Sequence, residues 1–84
     1  MSDKKLEEVV SYWEDKARLV LTGKRIKAVR YLTEGEASSL GWHSRSVVFE
    51  LDNGVLVWAS ADDEGNDAGA LFTTDKRVCT LPVI

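Results

Sequence analysis

A single-domain α+β fold is predicted for this 84-residue chain by three observations. Apolar residues recur at helical spacing through the first 21 positions, the remainder holds about five short β-rich runs, and Asn53-Gly54 separates the two most apolar of them. A chain this short hides only about 60–65% of its unfolded surface, which leaves room for one core and no second domain. The expected architecture is an N-terminal amphipathic helix packed on a small, strongly bent antiparallel sheet of about five strands, as an SH3-like barrel or an open barrel, with a short helix after the first strand.

Leu6, Val9, Val10, Trp13, Ala17, Val20 and Leu21 form the helical stripe, so a helix is expected over residues 3–21. Ser2 or Asp3 suits its N-cap, and Gly23 suits the left-handed position past its end. Propensity alone does not hold such a segment in water, so the stripe, Trp13 included, is expected to be buried on the sheet.

Residues 24–84 are expected to build that sheet. In RIKAVRYLT, Ile26, Ala28 and Leu32 fall on one side of a strand and Val29 and Tyr31 on the other. Thr33-Glu34-Gly35-Glu36 reads as a capping box that opens a short helix over residues 34–40, closed by Gly41, with Trp42 folding back onto its last turn. The run SVVFELDNGVLVWAS reads as a hairpin with Asn53 and Gly54 both at positive φ in a type I′ turn. That turn pairs Leu51 with Leu56, Phe49 with Trp58 and Val48 with Ala59, and it leaves two apolar faces that both need cover. Residues 70–73 and 78–81 supply two further strands, the last confined to an edge or its own end by Pro82.

The formal charge is −3 with a pI near 5.0, which argues against a surface devoted to nucleic acid or anionic lipid. Residues 1–34 hold eight Lys/Arg against six Asp/Glu and residues 35–84 three against eight, so the domain is electrically two-ended. Cys79 is the only cysteine, which excludes an internal disulfide and a cysteine-based zinc cluster and fits a cytoplasmic setting. It is expected to be packed as a small hydrophobe, with His43 in solvent. No signal peptide or membrane span is legible, and a monomer without a cofactor is expected.

The most unusual stretch is DDEGNDAGA, residues 62–70, with four carboxylates, an Asn and two glycines. As an EF-hand loop beginning at Asp62 it places Asp67 where the turn glycine belongs and Thr73 where the bidentate Glu belongs, so that motif fails and no metal ligand set is assigned. Two readings remain for Asp62, Asp63, Glu64, Asn66 and Asp67: an Asx-rich surface turn with its carboxylates in water or accepting backbone N–H bonds, and an ordered turn that recognises a partner, with Trp42 as a further candidate.

Enzyme chemistry finds little support. His43 is the single histidine, its neighbours Ser44 and Ser46 carry no third group to complete a triad, and no P-loop, dinucleotide fingerprint or histidine–carboxylate metal motif is present. Lys24, Arg25, Lys27 and Arg30 form a basic run with Tyr31 and Trp42 nearby, but strand alternation divides these cations between two faces.

Taken together, TGKRIKAVRYLTEGEASSLGW, RSVVFELDNG and SADDEGNDAGALFTT resemble a group of small uncharacterised bacterial proteins. The shared features are a strand, a short helix ending in L-G-W, a D-[DN]-G hairpin and a D-D-E-G-N-D-x-G-A-L loop, across about residues 22–74. The resemblance implies a bacterial source and a common fold and carries over no catalytic role; Ser46 stands where such relatives often have Pro. The expected function is a non-catalytic binding or accessory module that recognises a protein or small ligand near residues 62–70. Its rivals are a metal-dependent enzyme using the acidic loop and a weak nucleic-acid binder using the basic first strand.

Overall fold

The computed structural model describes residues 3–60 and 69–84. Helix α1 (Asp3–Leu21) is followed by strand β1 (Ile26–Tyr31), helix α2 (Glu34–Ser39) and strands β2 (Val47–Leu51), β3 (Leu56–Ala59), β4 (Leu71–Thr73) and β5 (Thr80–Leu81). Among the described residues these strands form one antiparallel sheet in the order β1-β2-β3-β4-β5. Each strand lies beside its neighbour in sequence, as short connections favour.

The α+β class and the N-terminal helix agree with the sequence reading, but the sheet does not close into an SH3-like barrel. It is an open meander, with β1 at one edge and β5 at the other. Closure requires a long last strand able to pair with β1; β5 has only two residues and pairs with β4, and α1 packs against it.

Cross-strand partners define the two faces of the sheet. Val29, Phe49, Val57 and Thr73 lie in one row, with Tyr31, Val47, Ala59, Leu71 and Leu81 on the same side. On this face α1 seals the core through Val20, fully buried beside Val78 and Leu81, with Trp13, Ala17, Leu21 and Leu71 packed around them. Trp13 is half-buried, less than the sequence reading expects, because α1 crosses the β5 end of the sheet and not its centre. The opposite face carries Arg30, Val48, Trp58 and Phe72. Trp42 covers this side, its ring stacked 6.0 Å from that of Phe72, while Trp58 meets Phe72 edge-on. Both faces are covered in part, as the hairpin's two apolar sides require.

The local signals at helix ends hold. Gly23 has φ 76° after α1; Ser2, one of the two expected caps, lies outside the described residues. Thr33 accepts from the Glu36 N–H at 3.1 Å, and the Glu36 carboxylate accepts from the Thr33 N–H at 2.7 Å, completing the capping box. Gly41, at φ 77°, donates to the Ser38 carbonyl at 2.9 Å, and Trp42 donates to Ala37 at 2.9 Å, which is the Schellman arrangement.

The hairpin exists, but its register differs from expectation by one residue. Val48 pairs with Trp58, Phe49 with Val57 and Glu50 with Leu56. Only Gly54, at φ 87°, enters the left-handed region in this turn. Gly54 donates to the Leu51 carbonyl at 2.9 Å, Leu51 donates to Val55 at 2.8 Å, and the Asn53 side-chain oxygen accepts from the Val55 N–H at 3.2 Å. The loop is thus three residues long, a turn over Asp52 and Asn53 followed by a glycine bulge, in place of the two-residue type I′ form. The shift moves Val57, fully buried, onto the α1 face with Leu51 and sends Trp58 to the Trp42 face, so the bulkier ring avoids the helix. Gly54→Ala meets no neighbour within 4 Å, so its cost is backbone strain alone. Chemical denaturation should register a loss of about 1–2 kcal/mol.

The strand expected over residues 78–81 is shorter, and Cys79 is exposed rather than packed. Val78 takes the core position, and the Cys79 carbonyl accepts from the Thr73 N–H at 2.9 Å as the chain leaves the turn. Among the described residues no helix is long and apolar enough to cross a membrane.

Candidate functional site

One end of the sheet gathers the close of β1, the start of β2 and the close of β3. The Schellman cap after α2 turns the chain back so that residues 41–46 lie over this end. A cleft of about 680 Å³ opens there, lined by Tyr31, Val47 and Ala59 from the strands, Trp42 and Arg45 from the connection, and Ser60 beyond β3. An adjoining hollow of about 600 Å³ shares Tyr31, Trp42 and Arg45 and reaches Glu34 of α2.

Hydrogen bonds hold the cleft's walls. The Ser46 hydroxyl donates to the Ala59 carbonyl at 3.0 Å, tying the 41–46 connection to β3. Ser60 donates to the Ala70 carbonyl from both its N–H, at 3.0 Å, and its hydroxyl, at 2.8 Å. Those bonds tie Ser60, a residue of the cleft wall, to Ala70 just before β4. Trp42 is half-buried on Phe72, while His43 and Arg45 are exposed on the rim. Of the residues singled out in the sequence, Trp42 is thus in the cleft; Asp62, Asp63, Glu64, Asn66 and Asp67 lie outside the described residues.

The basic run on β1 is partly neutralised. Arg30 makes a two-pronged ion pair with Glu36, at 2.7 and 3.0 Å, and Lys27 lies 3.9 Å from Glu50. The Arg30 guanidinium and then the Thr33 N–H hold the Glu36 carboxyl at about 2, well below its ordinary 4.5. A second such pair closes the β4–β5 turn, where Arg77 donates to Asp75 from its side chain at 3.0 and 2.8 Å and from its backbone N–H at 2.9 Å. Those bonds, the side-chain ones first, hold Asp75 at about 2 against an ordinary 3.8.

Both shifts bear on acid stability. Between the ordinary and lowered values the unfolded chain binds more protons than the folded one, so acid drives unfolding. The stability these carboxylates contribute is complete above about pH 4.5 and is lost as the pH falls toward 2. Thermal melts across that range should show a falling Tm, and Glu36→Gln or Asp75→Asn should each flatten the slope. An unchanged slope in both variants would place the acid sensitivity elsewhere.

The cleft and the Thr73–Asp75–Arg77 turn were both missed by sequence reasoning. The turn had a local signal, a Thr and an Asp two residues apart before Arg77, which is Asx-turn chemistry. The cleft had none, because its walls come from residues 31, 42–47 and 59–60, which only the strand order brings together. Among the described residues no group of three His, Cys, Asp or Glu side chains is placed to hold a metal ion. No protein-family model, curated protein or solved structure matches the chain.

Proposed function

We propose that this domain is a non-catalytic binding module, holding a protein segment or small ligand in the cleft lined by Trp42. The observation that carries this reading is the make-up of the cleft. Aromatic and aliphatic groups from Tyr31, Trp42, Val47 and Ala59 stand beside polar ones from His43, Ser44, Arg45, Ser46 and Ser60, in an open cleft whose volume falls within the range of ligand sites. The side chain of Arg45 supplies orientation by charge, and the Trp42 ring supplies contact area that ordering on Phe72 has already made rigid. A cytoplasmic setting belongs to the same reading and rests on the free thiol of Cys79. The nucleic-acid reading loses ground because Arg30 and Lys27 already face carboxylates.

Affinity capture from a bacterial lysate, repeated with Arg45→Glu and Trp42→Ala, tests the proposal. The wild-type protein should retain a specific protein or small molecule that both variants bind at least about tenfold more weakly, a loss of about 1.4 kcal/mol. Arg45 is exposed, so its variant keeps the fold and separates binding from stability. Equal retention by the wild-type protein and both variants, with matching circular dichroism, would remove the cleft from the function.

A further inference from the structure

Among the described residues a single permanent charge lines the larger cleft, and it is positive. Arg45 supplies it, whereas the carboxylate of Glu34 borders only the adjoining hollow. The chain as a whole carries −3, so the cleft is opposite in sign to the net charge.

The other arginines show what a guanidinium does in this chain when a carboxylate is in reach. Arg30 meets Glu36 through two bonds at 2.7 and 3.0 Å, Arg77 meets Asp75 through two at 3.0 and 2.8 Å, and Arg18 bridges Glu14 and Asp15. Among the described residues Arg25 and Arg45 have no carboxylate partner, and of these two it is Arg45 that lines the cleft. Neutral donors stand beside it. The side chains of Tyr31, His43 and Ser44 line both hollows and have no hydrogen-bond partner among the described residues. Ser46 and Ser60 differ, because their hydroxyls already donate to the carbonyls of Ala59 and Ala70 and so hold the wall. Apolar contact comes from Val47 and from the Trp42 ring, stacked 6.0 Å from that of Phe72.

We infer that the cleft takes an organic monocarboxylate, its carboxylate held by Arg45 and its aromatic or branched apolar group lying against Trp42 and Val47. This inference rests on the cleft being the binding site and adds the chemistry of what it holds. The two N–H groups on one edge of a guanidinium match the two oxygens of a carboxylate, and the bonds are strengthened by charge on both sides. Phosphate fits less well. A dianion draws on several cations or a row of backbone N–H groups, and here one guanidinium faces it with Glu34 in the adjoining hollow. Two sources present the required chemistry, a free apolar acid and the C-terminal residue of a peptide.

Amide chemical shifts followed during titration to about 10 mM test this with two pairs of probes. One pair is phenylpropionate and phenylpropionamide; the other is an N-acetylated tripeptide ending in phenylalanine, with a free or an amidated C-terminus. The acid of at least one pair should shift the amides of residues 42–47 and bind at least about tenfold more tightly than its amide. The pair that does so identifies the source of the carboxylate, and inorganic phosphate should bind more weakly than that acid. Arg45→Gln, at an exposed position, should erase the preference and leave the weaker binding of the amide in place, which also reports that the fold survives. Amides that bind in the cleft as tightly as the acids, a preference that persists in Arg45→Gln, or phosphate that binds more tightly than the acids would each overturn the inference and leave the binding module standing. No shift at residues 42–47 from any probe would overturn the inference, and only equal retention in the capture experiment would remove the cleft as well.

Discussion

Leu81→Ala is expected to lower the unfolding free energy by about 2–4 kcal/mol. An 84-residue domain has a total of only about 4–13 kcal/mol at its disposal, so this single truncation removes a large share. Leu81 lies opposite Leu71 in the β4–β5 pair and shares the buried cluster of Val20 and Val78, against which Trp13, Ala17 and Leu21 pack. It therefore joins the shortest strand to the longest helix, and a cavity there weakens both the sheet edge and the seat of α1. Urea unfolding should show a lower midpoint with an unchanged m-value. Ile84→Ala, at a position 66% exposed, is the control and should stay within about 0.5 kcal/mol of the wild-type protein. A similarly small loss at Leu81 would mean that α1 is not held by this cluster.

Thr73→Val should cost about 1–3 kcal/mol even though valine matches threonine in shape and is at least its equal as a strand former. The Thr73 hydroxyl donates to the Val78 carbonyl at 2.6 Å and accepts from the Asp75 N–H at 3.0 Å, and the residue is buried. Valine leaves that carbonyl and that N–H without their partner in a site from which water is excluded. Thr73→Ser keeps both bonds and loses one methyl group, so it should cost about 1 kcal/mol. The expected order of stability is therefore threonine, serine, valine. A valine variant as stable as the wild-type protein would show that the turn tolerates the loss, and that Asp75 and Arg77 shape it unaided.

The candidate site was legible only in fragments. The L-G-W sequence announced both the left-handed Gly41 and the return of Trp42 onto α2, because a Schellman cap is built from consecutive residues and local φ angles. It did not announce what Trp42 would touch. Phe72 lies thirty positions away, and its ring reaches Trp42 only because β4 pairs with β3 in a register that puts Phe72 opposite Trp58. Cys79 illustrates the same limit: its preference for burial was outweighed by Val78, which the β4–β5 turn places in the core.

By itself the sequence determined the features that close within a turn or two of chain: the bounds of α1, the capping box at Thr33, the Schellman cap at Gly41 and the existence of a hairpin at Asn53-Gly54. Each depends on hydrogen bonds between near neighbours or on apolar spacing along one element, so the residues involved are adjacent in the text. Tertiary structure alone decided the hairpin's register, the open sheet and the cleft. Moving the register by one residue exchanges the faces of β3, and the choice went to the arrangement that buries Val57 under the helix side and sends Trp58 toward Phe72. The open edge has the same origin: whether β1 meets β5 depends on the length of β5 and on where α1 lies, contacts that join the two ends of the chain.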